Sequence, residues 1–446
     1  MKRTPAPTKA FGLLDYVFIG LMLAIFGLIV MHAPLTVWLG NVFDGSEVLI
    51  KAWKELLMIP AGLLLLVIVW RRRQWGVFKN PFVLLAGLYA ALHLALIPLY
   101  YSNSAAVTAG LAIDLRYIAY FVLALALVQL YPQMRKLFLW VFLTGALLVV
   151  SFAIAQVFLL PIDFLSVLGY GDQTIQPYLT VDMNPDYVRI SSTLRGPNPL
   201  GAYIVVVLAL ALAYLWHRRP KMTWQSSSLF GLLMLGSVVA LWYSYSRSAL
   251  VAAIVAVGLV FLLTIGRRMP RWLWIGLFIA GFAVAGGLFA ARDTSFVQNV
   301  ILHDNPTTGG AITSNDGHLE SLIDGTDRKL RQPLGAGIGS TGSASLFTDK
   351  PLIIENQYLF IAHEVGWPGL ALFVALFVMI LVRLWKFRSD WLALGVLASG
   401  IGLALIGLLL PVWADDTVSI IWWGLAGLAI GGTYGRTVNK TTKRAA

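Results

Sequence analysis

The feature that most limits this chain is a set of about twelve predominantly apolar runs. They lie near 12–32, 47–70, 81–100, 110–131, 137–160, 199–216, 227–245, 248–265, 272–291, 366–384, 389–412 and 417–433. A helix needs about 20 such residues to cross the hydrocarbon core of a bilayer. Within lipid only helices and closed barrels satisfy every backbone N–H and C=O, and runs this long fit helices. Composition agrees: 59% of the 446 residues are hydrophobic and 12% are charged, with a mean hydropathy of +0.78. A soluble domain carries about 25% charged residues. The chain therefore reads as an all-α polytopic membrane protein, a single domain over 1–446. Its first run follows Met1-Lys2-Arg3, exceeds the length of a signal-peptide core and lacks an A-x-A site after it, so a retained helix is expected.

Lys and Arg set the expected orientation, because cytoplasmic loops collect them. With the N-terminus inside, the inner segments hold Arg71-Arg72-Arg73, Arg135-Lys136, Arg218-Arg219-Lys221, Arg267-Arg268-Arg271, Arg383-Lys386-Arg388 and Lys443-Arg444. That face takes 22 of the 33 basic residues but, of the 21 acids, only Asp15 and Asp390. Both termini are expected in the cytoplasm, in a cytoplasmic (inner) membrane, with the chemistry on the extracytoplasmic face. The net charge of +12 is then a topology signal and calls for no nucleic acid. With no Cys, disulfides and thiol chemistry are excluded.

Two outer connections are long, roughly 161–198 and 292–355. Long loops in compact proteins are usually functional or disordered. In the second, Thr313-Ser314-Asn315-Asp316 offers helix-capping chemistry ahead of an expected helix over 316–331. Leu319, Leu322, Ile323 and Leu330 share one face of it, His318, Ser321, Gly325 and Arg328 an adjoining one, and Glu320, Asp324 and Asp327 a third. Such a helix fits a lid on the membrane surface, or equally a plain interfacial helix. Pro333-Leu334-Gly335-Ala336-Gly337-Ile338-Gly339-Ser340 follows. It lacks the Walker Lys-Ser/Thr, so a tight turn, one that approaches a lipid phosphate, fits better than a nucleotide cradle.

In order along the chain stand Ser192-Thr193-Leu194-Arg195-Gly196-Pro197-Asn198-Pro199-Leu200-Gly201, Ser246-Arg247-Ser248 at the head of an apolar helix, Pro333-Leu334-Gly335-x-Gly337-x-Gly339-Ser340, Glu355-Asn356-Gln357-Tyr358-Leu359 and Glu364-Val365-Gly366-x-x-Gly369. Together they resemble the O-antigen ligase and polymerase superfamily over about 190–385. The resemblance implies a GT-C-type architecture and an inverting, metal-independent glycosyltransferase with no cofactor. It also implies an undecaprenyl-diphosphate-linked glycan as donor and a lipid core, another glycan or a protein as acceptor. Ligases and repeat-unit polymerases share these features. Where family ligases typically have a His-Asn pair, this chain has Glu355-Asn356. Where they carry an Arg in the loop helix, it has His318.

A transfer outside the cell cannot draw on ATP, so the donor must arrive activated. As the glycosidic bond breaks, its diphosphate gathers negative charge, and fixed cations stabilise that charge more than the ground state. Arg suits the task, since its planar fork holds phosphate oxygens in pairs. Basic residues are scarce outside, so Arg195 and Arg247 stand out as donor-binding candidates. Arg247 lies in Tyr243-Ser244-Tyr245-Ser246-Arg247-Ser248, among polar neighbours able to orient it. A snorkelling anchor at a helix end is the plainer account of both. The acceptor hydroxyl needs a base, for which Glu355 is the candidate; an acid at a helix N-terminus also has a plain dipole explanation. His318, Arg328, Arg116 and Asn356 are accessory candidates, with Arg116 and Asp114 expected to orient each other or the head group. Glu364 and His363 should face protein or a cavity.

Asp182-Met183-Asn184-Pro185-Asp186 has calcium-like spacing but lacks the loop glycine and the closing Glu, so no metal is expected. A twelve-helix secondary transporter is the alternative of another class. Against it, Arg71-Arg72-Arg73-Gln74-Trp75-Gly76 lacks the major-facilitator G-x-x-x-D, and no matched pair of broken helices marks two halves.

Overall fold

The computed structural model describes residues 11–218, 222–302, 323, 325–327 and 331–444. One apolar helix answers each expected run. They are α1 (Leu13–Val42), α2 (Trp53–Arg72), α3 (Pro81–Leu96), α4 (Ser104–Leu130), α5 (Met134–Phe158), α6 (Pro197–Arg218), α7 (Trp224–Tyr243), α8 (Arg247–Thr264), α9 (Arg271–Ala290), α10 (Gln357–Lys386), α11 (Trp391–Ile406) and α12 (Asp416–Arg444). Among the described residues, nine are long and apolar enough to cross a membrane, while α3, α11 and the apolar part of α12 are shorter. This is a multi-pass membrane protein. Local chemistry explains where several helices begin. Asn80, Asn103, Thr223, Asn356 and Asp390 each accept a backbone N–H two or three residues on, which satisfies a donor the first turn leaves open.

The core lies between α4, α6, α11 and α12. Gly424, Gly427 and Gly431 of α12 face α4 so closely that a Cβ at Gly427 would sit 2.7 Å from the Phe121 carbonyl oxygen. Without a hydrophobic drive between helices in lipid, this small-residue seam is what permits dense backbone packing. Trp413, Trp422 and Trp423 fill the outer part of the core against Tyr117 and Phe377. At the basic end, the two acids are paired: Asp15, which also accepts the Tyr131 hydroxyl, with Arg72, and Asp390 with Arg135 at 2.6 Å.

Two membrane helices are broken, and each break is closed by groups from elsewhere. In α1 a 3-10 turn at Ile29–Met31 frees carbonyls, and the hydroxyls of Thr417 and Thr193 donate to Ile29 O (3.0 Å) and Val30 O (2.7 Å). The α1 helix consequently runs on to Val42, beyond the expected 32. In α10, Gly366 leaves helical geometry at φ 67°, ψ −174°, two residues before Pro368. The expected tenth span at 366–384 is corrected accordingly. Gly366 is a break inside a helix that already starts at Gln357, because a second segment satisfies the freed backbone. Ala336 N donates to His363 O (2.6 Å), Gly337 N to Glu364 O (3.2 Å) and Trp367 N to Pro333 O (2.9 Å). Non-helical backbone at membrane depth persists only when protein satisfies it in this way.

The glycine-rich stretch makes the tight turns expected of it, closed by Gly335 N to Gln332 O (3.0 Å) and Ser340 N to Gly337 O (3.3 Å), and packs as a wedge against α10 and α4. Gly339 holds φ 77°, and a Cβ there would lie 2.2 Å from Ala106 O of α4. Glu364 is 1% exposed and accepts the Thr341 N–H at 3.3 Å, which ties the same stretch to α10. His363 is buried beside it, and His93 faces Asp114 at 3.5 Å. Of the helix expected at 316–331, residues 323, 325–327 and 331 are described and helical, with Asp327 paired to Arg331 at 2.9 Å. His318 and Arg328 lie outside the described residues.

Candidate functional site

The connection over 161–198 folds onto the bundle in two parts. First comes a hairpin, β1 (Leu179–Val181) and β2 (Asn184–Arg189), with Val181 opposite Asn184. Asp182 and Met183 make its two-residue turn at φ 48° and 58°. That is the left-handed pair a tight hairpin requires, and Asp tolerates it through its short polar side chain. The spacing noted at 182–186 is therefore turn chemistry.

Next, Ser191, Ser192, Thr193 and Leu194 are buried as a loop pinned to two helices. Ser192 N donates to Gln156 Oε1 and its hydroxyl to Val149 O, both at 2.7 Å. With Thr193 bonded to the α1 break, the loop has little freedom where it delivers Arg195 to the start of α6. Ser192 sits at φ 51°, a left-handed backbone that the surrounding hydrogen bonds hold in place.

Arg195 emerges exposed at one wall of a cavity of about 320 Å³. Arg189, Asn198 and Asp415 are its other polar liners, and Ile406, Val412 and Val418 give it apolar walls. The starts of α6 and α12 both contribute to its lining, although Pro197 and Pro199 carry no backbone N–H, so the arginines rather than helix N–H groups supply its attraction for an anion. Arg189 is fixed at both ends of its fork: Nε donates to Ser244 O (2.9 Å) and Nη2 to Asn198 Oδ1 (2.8 Å). Its burial, then the neighbouring Arg247 guanidinium, pull it down to about 10, with Asp182 opposing. It remains a cation at neutral pH.

Arg247 opens α8 behind the turn whose Ser244 carbonyl holds Arg189. Strand β2 docks on this turn through Ile190 N to Tyr243 O (3.1 Å), and Tyr187 meets the Tyr245 ring edge-on at 6.2 Å. The structure thereby brings Arg195 and Arg247 together around Arg189, which sequence reasoning passed over. A signal for Arg189 existed: it is one of few outer basic residues and lies six before Arg195. It sits in a strand, and only cations near helix ends stood out.

Asp415 is the second residue the sequence did not single out. Burial, then the adjacent Asp416, raise its carboxyl above the usual range, while the Val418 N–H and the Arg195 and Arg116 charges oppose. Asp416 itself turns away into a buried network. It pairs with Arg116, with Lys54 at 3.2 Å and with His32 Nε2 at 3.0 Å. Glu55 closes the ring, 3.2 Å from Lys54 and 3.6 Å from Arg116. Trp53 Nε1 donates to His32 Nδ1 at 2.9 Å, which assigns the ring proton to Nε2. Arg116 also donates to Ala414 O. The expected mutual pairing of Arg116 with Asp114 is replaced by this network, because α2 and α12 bring closer carboxylates.

Glu355 is half-buried just before α10 and is not among the residues lining the cavity. The cap of α10 is Asn356, whose Oδ1 accepts from Tyr358 N and Leu359 N (2.9 Å each) and whose Nδ2 donates to Leu408 O (2.7 Å). Asn356 is thus engaged with backbone groups and is the cap of α10, while Glu355 stands one residue before it, where the dipole account of an acid still applies. Gln357 Oε1 accepts from Trp413 N at 2.8 Å, so 355–357 packs on a segment whose continuation, Val412 to Asp415, faces the cavity.

No curated protein matches the chain. Residues 229–374 match a family described as O-antigen ligase, a stretch that contains Arg247, Glu355 and the glycine-rich wedge. Arg189 and Arg195 precede it and Asp415 follows it.

Proposed function

We propose, on the strength of the match of residues 229–374 to the O-antigen ligase family, that this chain moves a glycan from an undecaprenyl-diphosphate carrier to an acceptor hydroxyl at the extracytoplasmic end of the bundle. The match supports an O-antigen ligase- or polymerase-type membrane enzyme, which favours group transfer over secondary transport. All twelve helices span in this reading. The short α3 and α11, 16 residues each, cover about 24 Å. Their flanking apolar residues make up the rest of the roughly 30 Å core.

The observation that carries the proposal is the cavity in which Arg189 and Arg195 meet Asp415, with Arg247 behind them. The arginines hold the donor diphosphate in the positions where charge gathers as it leaves. The acceptor oxygen bonds to the anomeric carbon, and the bond from that carbon to the diphosphate oxygen breaks. Its electron pair departs on undecaprenyl diphosphate, and the acceptor proton passes to a carboxylate. A single displacement inverts the anomeric centre. Asp415 takes the proton in this scheme, since its raised carboxyl is a better base than an ordinary aspartate and it shares the cavity with Arg195. Glu355 is the other candidate carboxylate, standing in the place of the family His.

The test is direct. Purified protein receives a diphosphate-linked oligosaccharide and candidate acceptors (lipid core, glycan, protein), and released undecaprenyl diphosphate is measured. Release that depends on one acceptor class assigns ligase or polymerase. No release with any of them, from a folded and monodisperse sample, would sink the reading.

A further inference from the structure

Helices α6 and α11 each have a cavity at both ends. One is the arginine cavity; the other lies roughly 33 Å away along the 22 residues of α6. This second cavity, about 470 Å³, lies where α6, α8, α10 and α11 come together at the basic end of the bundle. Its polar liners are His217, Thr264, Lys386, Arg388 and Ser389, and Trp216 and Trp391 wall it with Leu263 and Leu394. Acids are absent from the lining. The nearest in sequence, Asp390, is committed to Arg135 and to the cap of α11. Among the described residues no carboxylate pairs with Lys386 or Arg388.

Arg388 is nevertheless placed. Its Nη1 donates to Trp385 O at 2.9 Å, and its guanidinium lies over the Trp385 ring at 4.5 Å, which orients the fork and leaves its other N–H groups for a ligand. Arg268, outside the lining, lies over the ring of Trp216 at 5.9 Å. Positive charge at this end follows from topology alone. A polar cavity between four helix ends, rimmed by half-buried indoles, does not follow from it. Indoles at the ends of membrane helices sit at headgroup depth, and basic pockets between helices at that depth suit phosphate.

We propose that this cavity binds the phosphate of an anionic phospholipid from the leaflet at that end. Lys386 and Arg388 hold the phosphate, and Trp216, Trp391 and Leu394 hold the glycerol and upper acyl segment. The site is independent of glycan transfer, so it stands or falls separately from the proposal above.

Native mass spectrometry of the delipidated full chain tests it, with phosphatidylglycerol, phosphatidylcholine and inorganic phosphate as probes. One phosphatidylglycerol should remain bound under conditions that strip phosphatidylcholine and show no phosphate adduct. The double change Lys386→Ala with Arg388→Ala should weaken retention about thirtyfold, from two cations of the usual worth at an anionic surface. Arg71→Ala with Arg73→Ala removes equal charge from the same end outside the cavity and should weaken it less than about threefold. Equal losses in the two doubles would mean a diffuse surface effect and overturn the site. So would equal retention of phosphatidylcholine, or binding of inorganic phosphate as strong as that of the lipid. Should the alanine double fail to fold, Lys386→Met alone gives the same comparison, with about a fivefold loss expected from one cation.

Discussion

Arg116 and Arg195 lie at the same end of the bundle, and each is close enough to Asp415 to lower its carboxyl. Their situations differ in one respect. Arg116 is enclosed by Asp416, Glu55 and a backbone carbonyl, so its charge is already answered. Arg195 makes no ion pair among the described residues and lines open volume. An arginine at this end of the bundle is therefore open to a ligand, or spent on structure, according to the carboxylates fixed around it. Position in the sequence does not distinguish the two. The same contrast divides the adjacent aspartates: Asp416 belongs to the network, and Asp415 to the cavity.

Substitutions at four positions test that division, in decreasing order of effect. Asp415→Asn should reduce transfer by about 10² to 10⁴, the usual worth of general-base help. The amide still accepts the Val418 N–H, so the thermal midpoint should hold. Because the Asp415 carboxyl is raised, the wild-type rate should fall on acidification at higher pH than an ordinary aspartate would give. Protonation removes the base, and a limb at the ordinary carboxylate position would remove Asp415 from the scheme. Arg116→Ala should act on stability instead, by about 3–5 kcal/mol, since it strands buried carboxylates. The folded remainder should turn over normally, and a normal melting curve with no activity would show that the network is chemical after all.

Arg195→Ala comes next, with transfer lowered about 10² to 10³ at unchanged stability. Arg195→Lys should recover only part, because a point charge cannot copy a bidentate fork. Glu355→Gln should have the smallest effect, under about threefold if Asp415 is the base, because general-base loss costs far more. A collapse with Glu355→Gln beside an active Asp415→Asn would exchange the two assignments.

Much of this was legible beforehand, and the failures have physical causes. Each of the twelve apolar runs became a helix, since hydropathy and length alone decide what can sit in lipid. Boundaries failed where backbone groups freed by a break find partners far along the chain. Gly366 with Pro368 reads as a helix start, and only the carbonyls closed by residues 333–337 show that the helix begins at Gln357. The same remoteness hid the role of Pro333–Ser340, whose glycines answer to Ala106 and Gly366. Arg195 and Arg247 were visible as outer cations. Arg189 was not, because its partner carbonyl at Ser244 is 55 residues away. Asp415 could not be told from Asp416 without knowing which of them meets Lys54 and Arg116.

The split in α10 has a mechanical consequence. A continuous helix carries load along its own axis, but the half-helix before Gly366 is held by what touches it. On one side the outer loop ends in the wedge at Pro333–Thr341; on the other, Asn356 and Gln357 hold Leu408 and Trp413. Wedge, half-helix and cavity wall are therefore links in series, and displacement of the first reaches the last without passing through the lipid-facing part of α10. The chain has no cysteine, so single labels at Ser340, Leu409 and Val378 can follow each link. Donor binding should move the first two relative to each other and leave Val378 where it is; motion of Val378 with the others would mean that α10 travels as one rod.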